Sequence, residues 1–311
     1  MFDIQQSSQS RPVIKQDLIK ALRTHLRAEG MAFGLNDDQS EELLFQRLGP
    51  QKYAKFCKVM DRVRAGRCGM NNAYDVLSSV LEGNALMSAQ AEVAIATNAA
   101  VISSCEADGT PGLRVAEVGC YAGSALRFLA LRNPESTFTG FDGSRGLIDA
   151  ANRKALRNCR FVQWDYDNSA SDVGVRFDRI IGALCINYPA TQCVDANSTD
   201  LSGALETYQR TIGPMRHWRQ IVADDGICTV ALRIARPVNV LGALNAIDEA
   251  GWVLGSDCPP GVVIEATGET FRIFKLRPST SRDPSPPSRT LDAATMLWNT
   301  GFDENVCYTW G

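Results

Sequence analysis

Hydrophobic and polar residues follow two different periods along this chain. Up to about residue 105, apolar residues recur at helical spacing and glycines separate the segments, which predicts helices at 13–29, 38–48, 50–65, 72–81 and 88–104. From Val115 onward, short apolar and β-branched runs alternate with helical stretches. This alternation is typical of a parallel sheet with helices on both of its faces.

The second part of the chain predicts seven strands, near residues 115–118, 137–142, 160–164, 177–186, 227–234, 251–254 and 270–275. The fourth strand is apolar almost throughout, as expected of a central strand in a parallel sheet. In open sheets of this kind, ligands bind at the carboxyl ends of the strands. Polar residues at those ends are therefore the candidates for function.

The first strand ends in a glycine turn, which is the most informative motif of the chain. Glu117 and Gly119 close the strand, Gly123 follows, and a helix pattern begins at Ser124. Glycine permits a positive φ and lets the backbone approach a ligand closely, and a helix N-terminus offers unpaired N–H groups. The dinucleotide-binding fingerprint G-x-G-x-x-G has three glycines, and this chain has Tyr121 in place of the middle one. The side chain of Tyr121 would keep a pyrophosphate from approaching closely.

The residues from Glu117 to Ser124 resemble motif I of the class I S-adenosylmethionine (SAM)-dependent methyltransferases, E-x-G-x-x-x-G. Gly-Cys-Tyr-Ala-Gly-Ser is similar to the G-x-Y-x-G-x-S variant of catechol-type small-molecule O-methyltransferases. The resemblance implies SAM as the cofactor and a doubly wound, seven-stranded Rossmann-like α/β sheet in the order 3-2-1-4-5-7-6, preceded by a helical lid. Two glycines around such a turn also occur for packing alone, so the downstream residues decide between the two interpretations.

Acidic residues follow the second and third strands. The resemblance gives Asp142 the role of accepting both ribose hydroxyls, and capping of the next helix is the alternative. It gives Asp165 a hydrogen bond from the adenine amino group, with a surface turn as the alternative, and Trp164 is expected in the core. The implied cofactor-binding residues are Glu117, Gly119, Cys120, Tyr121, Gly123, Ser124, Asp142, Gly143, Ser144, Asp165, Tyr166 and Leu184.

Three residues are candidates for catalysis. Asn187 and Tyr188 follow the fourth strand, where the resemblance places the reactive methyl group, and their side chains can orient an amine or hydroxyl without a charged base. A simple turn at Pro189 explains them equally well. Tyr74 lies at a lid edge that could cover the cofactor, although helix capping by Asn72 also explains that region.

Metal ligands are missing from the places where the catechol-type relatives hold Mg²⁺, an Asp after strand four and an Asp-Asn pair after strand five. This chain has Leu184-Cys185-Ile186 and Ala231-Leu232-Arg233 there. Hard cations require oxygen ligands, so the sequence predicts a metal-independent enzyme. His217 is a candidate base by residue type, but it lies in a helical run beside Trp218, where a structural role is expected.

Composition narrows the class of protein. The 311 residues include 32 basic and 35 acidic side chains, and the net charge of −3 argues against broad binding of nucleic acid. Ten scattered cysteines without a C-x-x-C pair, with two histidines, support no zinc site and suit the reduced thiols of a cytoplasmic enzyme. No apolar run reaches bilayer-spanning length, and the N-terminus lacks the order of a secretory signal.

The pattern divides the chain into residues 1–12, expected to be disordered; 13–110, a helical lid and substrate-binding segment; 111–278, a SAM-binding domain; and 279–311, a Pro/Ser linker with an aromatic tail. Residues 47–67 carry seven Lys/Arg side chains and one acid. A solvated helix face explains them. Docking of a carrier protein or a phosphorylated substrate stays open, as does a homodimer.

These observations lead to one prediction and two rivals. We predict a soluble, metal-independent SAM-dependent methyltransferase that acts on an oxygen or nitrogen of a small molecule in specialised metabolism, without nucleic acid or membrane as a partner. The first rival uses the same cofactor for other chemistry, such as attack by its own α-amine to close a ring and release methylthioadenosine. The second rival is a module that binds SAM without turnover.

Overall fold

The N-terminal part of the chain is helical. The computed structural model describes residues 16–107, 111–165, 174–183, 185–186, 202–233, 237–255, 262–264 and 269–280. Its first helices are α1 (Gln16–Ala28), α2 (Asp37–Leu48), α3 (Pro50–Arg64), α4 (Asn71–Tyr74), α5 (Val80–Met87) and, after a 3₁₀ turn at Ser88–Gln90, α6 (Ala91–Ala107). An N-terminal helical segment is therefore present, as the periodicity predicts.

One sheet of mixed strand direction follows these helices. Its strands are β1 (Arg114–Val118), β2 (Thr137–Asp142), β3 (Cys159–Gln163), β4 (Phe177–Ala183), β5 (Val222–Arg233), β6 (Trp252–Leu254), β7 (Val262–Ile264) and β8 (Glu269–Pro278). The helices between them are α7 (Ser124–Arg132), α8 (Arg145–Asn152), α9 (Ser202–Ile221) and α10 (Pro237–Glu249).

The strand order is β3-β2-β1-β4-β5-β8-β6, with β7 paired to β8. Strands β1 to β5 pair in parallel, whereas β8 runs antiparallel to β5, β6 and β7. Because β8 stands where the predicted order has strand 7, the order 3-2-1-4-5-7-6 and the Rossmann-like class are confirmed. The short strand β7 is an addition that the sequence pattern did not predict.

The prediction of one helix over 72–81 is wrong, because the chain is not helical between α4 and α5. In this gap the Asp75 carboxylate accepts hydrogen bonds from the Ser144 hydroxyl at 2.8 Å and from the Gly146 N–H at 3.2 Å. Both donors stand at the start of α8, where N–H groups lack helical partners. A tertiary contact that local periodicity does not encode therefore interrupts the helix.

Helices cover both faces of the sheet. On one face Ile181 packs in a cluster with Ile95 of α6 and with residues of α1 and α7. On the other face Ile180 packs in a cluster with Trp218 of α9 and with residues of α10. The neighbours Ile180 and Ile181 point to opposite faces, as strand alternation requires. A third cluster joins α2 to α5 with Leu147 of α8, so the lid helices pack beside the carboxyl edge of the sheet.

Among the described residues, one helical stretch, Val80–Glu106, is long and apolar enough by composition to cross a membrane. The pattern of apolar residues predicted no stretch of that length. Its most apolar window has a mean hydropathy of 1.3, and 67% of that window is buried inside the fold. Core helices that are apolar on all sides have this composition, and the packing of α6 against the sheet accounts for it here.

Candidate active site and cofactor cavity

The turn after β1 contains three residues with positive φ. Gly119 and Gly123 have φ values of 71°, and Tyr121 has a φ of 54°. A Cβ atom at Gly123 would lie 2.3 Å from the Phe161 ring, so only glycine fits there. Tyr121 adopts a conformation that is uncommon for a residue with a side chain, and Asp142 holds it by accepting a hydrogen bond from its N–H at 2.9 Å. The shape of the turn thus depends on the end of β2.

A cavity of about 170 Å³ opens between this turn and the N-terminal helices. Its sheet side is lined by Glu117, Gly119, Cys120, Tyr121, Ala122, Ser124, Ala125, Asp142, Gly143, Asp165, Ala183 and Cys185. The structure therefore brings most of the predicted cofactor-binding residues to one place. Of the others, Gly123 and Ser144 adjoin the lining residues in the chain, and Tyr166 and Leu184 lie outside the described residues.

Asp142 presents a buried carboxylate to the cavity. Only 7% of the residue is exposed, and its two oxygens accept hydrogen bonds from the N–H groups of Tyr121 and Ser144, each at 2.9 Å. Burial raises the pKa of Asp142, and these two donors oppose the rise. The cap residue of α8 is Ser144, whose hydroxyl accepts from the Leu147 N–H. The alternative of Asp142 as the cap is therefore not what the structure shows.

Glu117 is the second buried acid of the cavity. It is 4% exposed, and its Oε2 atom has no hydrogen-bond partner among the residues that the structure describes. Burial raises the pKa of Glu117 to about 8, the negative charge of Asp142 adds to the rise, and Arg127 opposes it. An unpartnered carboxyl oxygen in a buried site is costly. Its position on the cavity wall suits a ligand that carries a cation or a hydrogen-bond donor.

The end of β3 contributes one acid and one core residue. Asp165 is exposed and lines the cavity, and its proposed contact with adenine stays a prediction. Trp164 is buried and its ring lies edge-on to Phe141, with 5.2 Å between ring centroids. The prediction that Trp164 belongs to the core is confirmed.

Tyr74 reaches the cavity from α4. Its ring lies edge-on to Tyr121 with 5.3 Å between centroids, and the Tyr121 hydroxyl donates to the Gly83 carbonyl of α5 at 3.3 Å. Burial, followed by the charge of Asp142, raises the pKa of Tyr74 to about 12. Tyr74 is therefore a neutral phenol at physiological pH, which can donate a hydrogen bond, and its catalytic role stays a prediction.

The end of β4 is described only in part. Ala183 and Cys185 line the cavity, and the predicted catalytic residues Asn187 and Tyr188 lie outside the described residues. Within the part of the chain that the structure describes, no three His, Cys, Asp or Glu side chains are grouped so that they could hold a metal ion. His217 is half-buried on α9 and does not line the cavity.

The lid side of the cavity contains residues that the sequence analysis did not single out. They are apolar or carry neutral amides: Leu26, Met31, Asn71, Asn84, Met87, Gln90, Ala94 and Asn98. The positions 84, 87, 94 and 98 follow one face of the stretch from α5 to α6, since residues three and four apart are neighbours on a helix. Amides at helical spacing within an apolar segment were the signal that could have revealed this wall.

Residues 115–204 match the model of a family described as "Methyltransferase domain". The matched segment begins at β1 and contains the glycine turn, Glu117 and Asp142. This chain carries a class I SAM-dependent methyltransferase domain. The sequence-based assignment of the SAM-dependent methyltransferase family, of an enzyme and of SAM as its cofactor is therefore confirmed, and the class of reaction stays open.

Several solved structures are similar to this methyltransferase in fold. A TehB-like SAM-dependent methyltransferase from Corynebacterium glutamicum is 13% identical, with a TM-score of 0.41, and the match covers 58% of this chain and 88% of that one. Magnesium protoporphyrin IX methyltransferase from Synechocystis PCC 6803 with bound SAM is 18% identical, with a TM-score of 0.42 and coverages of 59% and 78%. The CurJ carbon methyltransferase is 14% identical, with a TM-score of 0.49 and coverages of 79% and 72%. No match was found among curated proteins.

The cavity of the methyltransferase fits its cofactor in chemical type. SAM carries a sulfonium cation, an α-ammonium cation and two ribose hydroxyls. Glu117 offers an unpartnered carboxyl oxygen and Asp142 a buried carboxylate on the same wall. Both are acceptors, which is the chemistry that these cations and hydroxyl donors require.

Most of the basic residues of 47–67 lie on α3, and about half of the residues of this helix are exposed to solvent. Lys52 pairs with Glu82 at 2.5 Å, and Lys55 and Lys58 are exposed to solvent. Exposed charged residues of this kind are typical of a helix face that is in contact with solvent. Docking of a carrier protein or phosphorylated substrate on this face stays a prediction.

Proposed function

We propose that this methyltransferase transfers a methyl group to an oxygen or nitrogen of a small molecule without the help of a metal ion. The observation that carries this proposal is the lid wall of the cavity, where the thioethers of Met31 and Met87 alternate with the amides of Asn84, Gln90 and Asn98. Apolar surface with a few polar groups is typical of small-molecule sites. Such a wall suits an uncharged acceptor that presents a hydroxyl or an amine.

The described residues of the cavity support a separate role for each of three side chains. Glu117 would hold a cationic group of the cofactor, Asp142 its ribose hydroxyls, and Tyr74 would close the cavity above them. When bound, SAM supplies an electrophilic methyl group, so the protein has mainly to align the acceptor and manage one proton. Gln90 and Asn98 line the cavity. Their amide oxygens would accept a hydrogen bond from the acceptor and so orient its nucleophilic atom.

The proposal extends to the residues after β4. Tyr188→Phe removes a hydroxyl and keeps the ring, and we expect kcat to fall about 10²-fold while the affinity for cofactor is kept, because an orienting or acid–base group acts chiefly in the transition state. Steady-state kinetics with the identified acceptor measure kcat, and calorimetry with S-adenosylhomocysteine measures the affinity for the cofactor site. If Tyr188→Phe and Asn187→Ala both turn over at the wild-type rate, this pair is only a turn.

Activity should survive chelation. The ends of β4 and β5 present Cys185, Ala231 and Leu232 at the places where the catechol-type relatives have oxygen ligands, and Mg²⁺ requires such ligands. We therefore expect an unchanged rate of methyl transfer after treatment with EDTA. Loss of activity on chelation and its rescue by added magnesium would contradict the proposal.

The test of the proposed function is the identity of the product. Small molecules that co-purify with the protein are identified by mass spectrometry and are incubated with SAM and the enzyme. Formation of S-adenosylhomocysteine with a methylated acceptor supports the proposal. Methylthioadenosine as the product would select the rival that closes a ring on the cofactor, and binding of SAM without any turnover would select the non-catalytic module.

We also propose that the enzyme works in the cytoplasm, in specialised metabolism. Cys57, Cys68, Cys120, Cys159 and Cys228 are free thiols, which suits a reducing compartment. Microscopy of a tagged chain in its native cells would check the compartment. Sedimentation at several concentrations would test whether a homodimer forms.

A further inference from the structure

A buried ion pair joins the lid helices to the start of α7. Arg127 of α7 lies within one helical turn of Ser124, which lines the cavity. Glu29 follows α1 in the connection to α2, and the side chains of Arg127 and Glu29 are 3% and 13% exposed. The guanidinium donates to both carboxylate oxygens, and its Nε lies 3.3 Å from Oε1 of Glu29. The pair is bidentate, which fixes geometry as well as charge.

The same ion pair reaches the cofactor turn. Nη1 of Arg127 donates to the carbonyl of Ala122 at 3.0 Å, within the turn between the two left-handed glycines. The Ser124 hydroxyl, which lines the cavity, donates to Oε2 of Glu29 at 2.8 Å. Glu29 therefore acts on the turn through two routes, the guanidinium and the hydroxyl.

Two further residues of the lid contact Ser124 at the start of α7. Asn84 of α5 donates from its amide nitrogen to the Ser124 hydroxyl at 3.0 Å and to the Glu29 carbonyl at 2.9 Å. The ring of His25 on α1 lies 3.1 Å from the Ser124 carbonyl through its Nε2 atom. Three elements of the lid, α1, the connection that follows it and α5, thus converge on the first residue of α7.

Stability alone is a poor reason for such a pair. Taking two charges out of water costs so much that apolar residues of similar volume often replace a buried pair without loss of stability, whereas removal of one partner is strongly destabilising. A buried pair that contacts a ligand-binding turn has a second use, since it fixes one arrangement of that turn.

We infer that Glu29 and Arg127 are positioning residues for the cofactor turn, and that their ion pair couples the binding of SAM to the docking of the N-terminal helices. The inference depends on the cofactor and not on the proposed acceptor. Coupling is reciprocal: a docked lid raises the affinity for cofactor, and bound cofactor stabilises the docked lid. The lid then completes the cofactor site as well as covering it.

The first test compares two matched variants. Glu29→Gln breaks the pair at the turn. Glu106→Gln breaks the pair of Glu106 with Arg132, which also joins α7 to the helical segment, with 2.7 Å between Nε and Oε1, but makes no contact with the turn. With S-adenosylhomocysteine as the probe in calorimetry, we expect about tenfold weaker binding for Glu29→Gln, within the range of measured coupling between sites, and unchanged binding for Glu106→Gln. Equal affinities in both variants and the wild type would overturn the inference.

A second variant separates positioning from stability. Glu29→Leu combined with Arg127→Met leaves no uncompensated charge, so the thermal midpoint should stay near that of the wild type. We expect its affinity for S-adenosylhomocysteine to stay as low as that of Glu29→Gln. Recovery of wild-type affinity by this apolar pair would show that the ion pair is only structural. Failure of the wild-type protein to bind the probe would instead contradict the cofactor assignment itself.

Hydrogen exchange reports the coupling directly. In the wild type, S-adenosylhomocysteine should slow exchange in the turn, residues 119–124, and in the connection after α1, residues 29–34, because both are held by the same contacts. In Glu29→Gln saturated with S-adenosylhomocysteine, hydrogen exchange should be slowed only in the turn. Equal protection of the connection in both proteins would contradict the coupling.

Discussion

Replacement of Asp142 by alanine is expected to weaken the binding of S-adenosylhomocysteine by about 10³-fold, because hydrogen bonds to a charged group contribute about 1.5–3 kcal/mol each and two ribose hydroxyls lose their acceptor. The same change removes the acceptor for the N–H groups of Tyr121 and Ser144, each at 2.9 Å. The turn therefore loses one of its supports at the same time as the ligand loses its contacts. Calorimetry with the purified variant gives the affinity.

A matched control for this change lies on the following helix. Asp149 of α8 is an acid whose side chain is 59% exposed, and it pairs with Arg145 at 3.8 Å within the helix. Asp149→Ala should leave the affinity for S-adenosylhomocysteine unchanged, since exposed pairs contribute little. If Asp142→Ala binds the ligand as tightly as Asp149→Ala does, the ribose role assigned to Asp142 is wrong.

The second large effect concerns Glu117 and pH. Its pKa in the folded protein is raised to about 8, whereas an unfolded chain releases that proton near pH 4.3. The free energy of unfolding therefore includes a contribution that is fully present below about pH 4.3 and is lost as pH rises through about 8, with an upper bound of about 5 kcal/mol. Glu117→Gln cannot lose a proton and should remove this dependence.

Denaturant unfolding of the ligand-free protein between pH 5 and pH 9 measures the effect. At pH 9 Glu117→Gln should be more stable than the wild type, and the difference should shrink towards pH 5. Asp142 and Arg127, the other charged groups that act on Glu117, are present in both proteins, so their contributions cancel in the comparison. Parallel stability curves for the two proteins would contradict the assigned protonation.

The same protonation has a consequence for the ligand. A cation that binds beside Glu117 favours the ionised carboxylate and lowers its pKa, so binding should release a proton below about pH 8. Calorimetry in two buffers of different ionisation enthalpy detects that proton, and it should be absent in Glu117→Gln. The variant therefore gains stability at high pH and loses affinity for the cofactor.

The sequence predicted the parts of the site that are close together in the chain. The glycine turn, Glu117 and Asp142 lie at strand ends that the alternating apolar runs predict, and the resemblance to the methyltransferases implied their order and their roles. Tyr74 lies at a predicted lid edge next to its own helix. The structure brings all of them to one cavity. Local pattern was sufficient here because each residue is fixed by the strand or helix that carries it.

Contacts between distant segments were not predictable in this way. Glu29 looks like the end of a surface helix, yet it meets Arg127 from 98 residues away. Asp75 was predicted to lie inside a helix, but it accepts hydrogen bonds from Ser144 and Gly146 at the start of α8 instead. The pattern of an amphipathic helix does not show which partner a charged residue has, so the ion pair becomes visible only when the helices are packed together.

The burial of α6 has a consequence for how this protein can be divided. Ile95, Ala99 and Ile102 are at most 1% exposed and share a cluster with Ile181 of β4 and Ile273 of β8. A fragment that starts at residue 111 would present this face of the sheet to water, and exposed apolar surface of that extent promotes aggregation. The helical segment and the sheet therefore have to be expressed together, as one folding unit.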